Sequence, residues 1–124
     1  PMIETREDWV HGIVGVVNAL GWGRWTVDRL EAGAALEGSI KNSYESVGYI
    51  ADYPQRDSTG VCFLATGGTS GIMNLLYNGD IRQRPALTPA YFDQVFAASD
   101  RFVARETACR AVGAESCKFL VSRL

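Results

Sequence analysis

Near the start of the chain, apolar residues recur at helical spacing: Trp9, Ile13, Val16, Val17 and Leu20. Thr5 precedes them with Asp8 three residues on, the signature of a capped helix start, and Gly21 and Gly23 stop the run. The pattern then changes to alternation. Trp25 and Val27 share one side of Arg24–Arg29, and Ala34, Leu36, Gly38 and Ile40 alternate with Glu37, Ser39 and Lys41. With Leu30–Gly33 as the turn, this predicts two antiparallel strands. Asn42–Ser46 either ends the second strand or begins a short helix, and Pro54–Thr59 is polar and turn-like.

A second helix is predicted from about Val61 to Tyr77, capped by Ser58 or Thr59 and closed by Asn78-Gly79. It carries Val61, Leu64, Ile72, Leu75 and Leu76, and a strip of small residues at Gly67, Gly68, Ser70 and Gly71. That strip could admit a ligand to the helix backbone; we read it as a packing surface for the sheet or a second subunit. After an irregular Ile81–Leu87, Thr88-Pro89 opens a third helix bearing Tyr91, Phe92, Val95 and Phe96. Arg101–Cys109 and Cys117–Leu124 read as two more strands around a turn at Gly113. The order α, β, β, α, α, β, β contains no repeat and no linker. The expectation is one α+β domain over residues 1–124, an antiparallel sheet of about four strands packed against helices.

Composition narrows the function classes. A chain of 124 residues buries roughly two-thirds of its surface, enough for one core. Twelve basic against 14 acidic residues leave no nucleic-acid face. The longest apolar run, Ile13–Val17, falls far short of the roughly 18 residues a membrane span needs, and no signal-peptide pattern is present. The opening Pro1-Met2 reads as the start of a piece trimmed from a longer chain.

Three cysteines do not make a disulfide scaffold, so a reducing, cytoplasmic location is expected. If the last hairpin turns at Gly113, Cys109 and Cys117 face each other across the ladder. Cys62 lies in the first turn of the second helix, where the positive dipole end favours a thiolate. With Glu106, three sulfurs and a carboxylate make the closed tetrahedral donor set of structural zinc. Residues three apart on a regular strand point to opposite faces, so Glu106 and Cys109 can share a metal only across a bulge or sharp bend. The alternative is that all three cysteines are small core residues.

The stretch Arg105-Glu-Thr-Ala-Cys109-Arg-Ala-Val-Gly113-Ala-Glu-Ser-Cys117-Lys-Phe119 resembles the closing hairpin of the 4-vinyl reductase domain family. These are small-molecule, often hydrocarbon-binding modules, among them the sensor domains of activators that detect phenols and a bacteriochlorophyll-synthesis protein. Lys41-Asn42-Ser43-Tyr44-Glu45-Ser46 is similar to the family's Asn-Ser-aromatic-Glu-Ala segment. Cys62-Phe-Leu-Ala-Thr-Gly67-Gly-Thr-Ser70-Gly71 is similar to the cysteine-led helix of the aromatic sensors. The resemblance implies a zinc held by Cys62, Glu106, Cys109 and Cys117, with Tyr44 and His11 as ligand-binding residues. It also implies helical sequence ahead of the first helix, a portion expected to be missing from this sequence. Between Cys62 and Glu106 the chain has about twenty more residues than the aromatic sensors, an extension that costs little in loop entropy.

Three function classes follow. The first is a binding or sensor domain for a small hydrophobic or aromatic ligand, expected as a homodimer, with Tyr44 and His11 meeting a phenol-like hydroxyl. Without a ligand, His11 would be a surface or cap residue and Tyr44 a half-buried strand-end aromatic. Trp22, between two glycines, is free to line a pocket rim, whereas Trp9 and Trp25 are expected in the core. The second class is an accessory protein or reductase acting on the vinyl group of a bacteriochlorophyll precursor. No nucleophile–base pair or cofactor motif supports a catalytic site. The third is a protein-interaction module.

Overall fold

The computed structural model describes residues 3–54 and 59–124. Helix α1 spans Arg6–Ala19, and Thr5 and Asp8 close the expected capping box. Strands β1 (Arg24–Glu31) and β2 (Ala35–Lys41) follow, so Leu30 and Glu31 belong to the strand and the turn is tighter than expected. The ambiguous segment becomes helix α2, Tyr44–Asp52. Helix α3 (Phe63–Tyr77), a short 3-10 turn (Ile81–Gln83), helix α4 (Pro89–Phe96, capped by Thr88) and strands β3 (Phe102–Ala108) and β4 (Cys117–Arg123) complete the chain. The strands form one antiparallel sheet in the order β1-β2-β4-β3. The expected α+β architecture is what the structure shows.

The core has two parts. Val10, Leu36, Ile72, Met73, Leu76, Phe102 and Val121 fill the space between the sheet and helices α1 and α3. Ile40, Ala65, Ala111 and Phe119 surround the three cysteines in the other part. Helix α1 presents Val10 to the first part, with Ile13 half-buried beside it, while Trp9, Val16 and Leu20 remain exposed. The expectation that Trp9 is a core residue is therefore corrected: the helix meets the sheet one position around from its most obvious apolar stripe. Leu64, read as part of the apolar face of α3, is likewise exposed, while Thr69, Met73 and Asn74 are buried. Trp25 is half-buried and stacks on Phe119.

Each sheet edge is joined to a helix by an asparagine amide that copies a peptide bond. Asn18 on α1 accepts from the Trp25 N–H at 2.7 Å and donates to its carbonyl at 3.0 Å. The buried Asn74 on α3 accepts from the Phe102 N–H at 2.8 Å and donates to its carbonyl at 2.9 Å. Truncating it strands both backbone groups, so Asn74→Ala is expected to cost about 2 kcal/mol in urea unfolding. A loss below about 0.5 kcal/mol would mean that water replaces the amide.

Candidate metal centre and adjoining pocket

Helix α3 starts later than its sequence signals. Of the two expected caps, Ser58 lies outside the described residues and Thr59 lies ahead of the helix, whose N-cap is Cys62. The reason is that Gly60–Cys62 runs non-helically and spends its N–H groups on the last hairpin. The Cys62 N–H donates to Glu106 Oε1 at 3.3 Å, and the Val61 N–H donates to the Cys109 sulfur. The cap arrives from α2 instead: the Glu45 carboxylate accepts from the N–H groups of Leu64 and Ala65, both at 2.8 Å. A carboxylate there also complements the helix dipole.

The obstacle to a shared metal is removed by a bulge. Glu106 pairs with Phe119 but Ala108 pairs with Lys118, so Thr107 is an extra residue in β3. One added residue brings Glu106 and Cys109 to the same face. Cys109 opens the connecting turn, which passes Gly113 at φ 106°. Cys62, Glu106, Cys109 and Cys117 thus converge, with ligand atoms within 4.8 Å of one another. The Cys117 sulfur lies 3.3 Å from that of Cys62 and 3.9 Å from that of Cys109. Two thiolates at tetrahedral zinc are about 3.8 Å apart, whereas a disulfide needs about 2.05 Å. All three thiols are free.

The electrostatics fit a cation. Glu106 Oε2 is buried with no hydrogen-bond partner, an expensive state for a carboxylate that a metal bond relieves. Donation from the Cys62 thiol and from the Arg110 N–H brings the Cys117 thiol down to about 6. Cys62, which gives that bond and is buried, is pushed well above the usual thiol range, and burial raises Cys109 as well. The four residues are close enough to hold one metal ion.

Gly60 is a supporting residue that sequence reasoning missed. A Cβ there would overlap Glu106 Oε1, and the atom that gives way is the end of a flexible side chain. Gly60→Ala is expected to fold normally while displacing the carboxylate, lowering metal affinity about 10- to 100-fold. Unchanged affinity in a chelator competition would remove Glu106 from the ligand set.

Beside this cluster lies an apolar cavity of about 190 Å³. Its walls come from Ile13 and Val17 on α1, Trp22 and Trp25, the segment Ser43–Glu45, and Leu64, Ala65, Gly68 and Ile72 on α3. Trp22 and Tyr44 line it with their rings 5.9 Å apart. His11 is exposed on α1 and is not among the lining residues. The glycines of the small-residue strip are not packed against other described residues: a methyl at Gly67, Gly68 or Gly71 would meet nothing among them within 4 Å. This corrects the packing reading as far as the sheet is concerned, since Gly68 faces the cavity. For scale, a dry cavity of about 150 Å³ in another protein accepts benzene.

No family model and no curated protein matches the sequence. Among solved structures, the chain is similar to the phenol-responsive sensory domain of the transcription activator PoxR, in its crystal structure with phenol. The TM-score is 0.66 at 15% identity, covering 97% of this chain and 51% of that one. The two share a fold, and this chain spans about half the length of its neighbour. No helix among the described residues is long and apolar enough to cross a membrane.

Proposed function

We propose that this chain is a ligand-binding domain of the 4-vinyl reductase type, taking a small phenol-like aromatic in the cavity beside α3 and holding structural zinc through Cys62, Glu106, Cys109 and Cys117. The carrying observation is that an apolar cavity and a four-ligand cluster meet at the start of one helix. The shared fold supports the reading, because that neighbour responds to phenol. Such pockets are mostly apolar with a few placed polar groups. Here Trp22 and Tyr44 supply aromatic walls, and the Tyr44 hydroxyl is a partner for the guest's hydroxyl. The zinc, when bound, serves as a cross-link and leaves no open position for catalysis. Cys62 thereby ties the start of α3 to the β3–β4 hairpin, and the guest packs on the same turn through Leu64 and Ala65.

Calorimetric titration with phenol, combined with hydrogen exchange, tests this. Saturable binding with increased protection over residues 60–79 is expected. Equal protection with and without phenol, or no heat of binding, overturns the assignment. The reading includes a cytoplasmic homodimer, with the exposed Val16, Leu20 and Phe63 as apolar surface available to a partner copy. A single-chain mass in light scattering would overturn the dimer.

A further inference from the structure

Ser43 belongs to both sites. It is 1% exposed, its hydroxyl lies 3.3 Å from the Cys62 sulfur, and it forms part of the cavity wall beside Tyr44 and Glu45. It also occupies the N-cap of α2, where a serine hydroxyl ordinarily accepts from a backbone N–H of the first turn. No such bond is made here. The hydroxyl is turned away from the helix it would cap and toward sulfur.

Charge explains what it does there. Three thiolates and a carboxylate around a divalent cation leave a net negative charge in a buried place, which fixed donors must offset. Cys109 receives the N–H groups of Val61 and Ala111, and Cys117 receives that of Arg110. At Cys62 the neighbouring hydroxyl is that of Ser43, which is the donor when the sulfur is a metal-bound thiolate. The nearby Ser46 hydroxyl, 3.5 Å from the Cys117 sulfur, already donates to the Ser43 carbonyl at 3.1 Å. The backbone of Ser43 is held from behind by Gly23, whose φ is 118° and where a Cβ would come within 3.1 Å of Ser43 Cα.

We propose that Ser43 is a positioning residue that couples the two sites, so that an aromatic guest and zinc each tighten the binding of the other. The inference rests on the zinc-and-aromatic reading above. A guest packs at once on Ser43 and on Leu64 and Ala65, the two sides of the contact between α2 and α3. The Ser43–Cys62 and Glu45–α3 hydrogen bonds require that contact closed. Both ligands favour one arrangement, and by linkage the enhancement is reciprocal.

The test is competition for zinc between the protein and a chromogenic chelator, with and without saturating phenol. In the wild type phenol is expected to raise zinc affinity at least about fivefold. Ser43→Ala should lower zinc affinity about 10-fold and reduce the phenol effect below twofold. Ser43→Thr keeps the hydroxyl and should retain the effect. A wild type that binds zinc and phenol independently overturns the coupling alone, as does a folded Ser43→Ala variant that keeps the full phenol effect. A wild type that takes up neither zinc nor phenol overturns the underlying reading and the coupling with it.

Discussion

Chelation of the purified protein is expected to release about one zinc per chain and lower Tm by about 10–20 °C. Three buried sulfurs stand beside a buried carboxylate oxygen without a partner, a cost that a cation among them would relieve. Without it, Glu106 Oε2 stays buried without a partner, and the start of α3 is tied to the last hairpin by hydrogen bonds alone. Structural zinc supplies about 10–16 kcal/mol to peptides that have no other core. This domain has a separate apolar core under α1 and α3, so a smaller share, about 3–4 kcal/mol, is expected to be lost. At about 3–6 °C per kcal/mol for a chain of this size, that gives the stated shift. Cys117→Ser should reproduce the loss and leave Tm insensitive to chelator, because the residue touches both other sulfurs. A metal-free preparation with three titratable thiols and no chelator effect would return the cysteines to the role of small core residues.

Gly68→Leu is expected to reduce phenol affinity at least about 100-fold with no loss of stability. Gly68 lines the cavity, and a Cβ built there meets nothing within 4 Å, so a side chain can start from this position toward the cavity. A leucine fills space that the guest needs. It also replaces glycine in the interior of α3, which favours the helix by about 1 kcal/mol. Binding should therefore fall while Tm holds or rises by a few degrees, a combination that general damage to the fold does not produce. Tyr44→Phe, which removes one hydroxyl and keeps the ring, should cost only about 10-fold. A Gly68→Leu protein that binds phenol normally would place the guest outside this cavity.

Much of the fold was legible because its signals are local. The Thr5–Asp8 capping box, the Thr88-Pro89 start and the positive-φ turn at Gly113 each depend on a few adjacent residues, and each stands where the sequence pattern puts it. The alternation through β1 and β2 identified the strand pair, and the cysteine spacing together with the family resemblance pointed to the four residues that converge. Less legible were the residues whose role depends on a distant partner. Nothing near Glu45 in the chain announces that it caps α3, nor does anything near Gly60 show that its missing side chain makes room for Glu106.

The sequence by itself determined the starts of α1 and α4, the strands of the sheet, and the four residues, three cysteines and Glu106, that come together. These follow from periodicity, capping chemistry and residue type, all of which act over a few residues. Only the tertiary structure decided which of two plausible faces α1 buries, because apolar residues at Trp9, Val10, Ile13, Val16 and Val17 span more than one stripe. It also decided the one-residue bulge at Thr107 and the placement of Ser43 between cavity and sulfur. A bulge is set by the mismatch between two paired strands, and a shared wall by the packing of two helices. Neither is a property of any single segment.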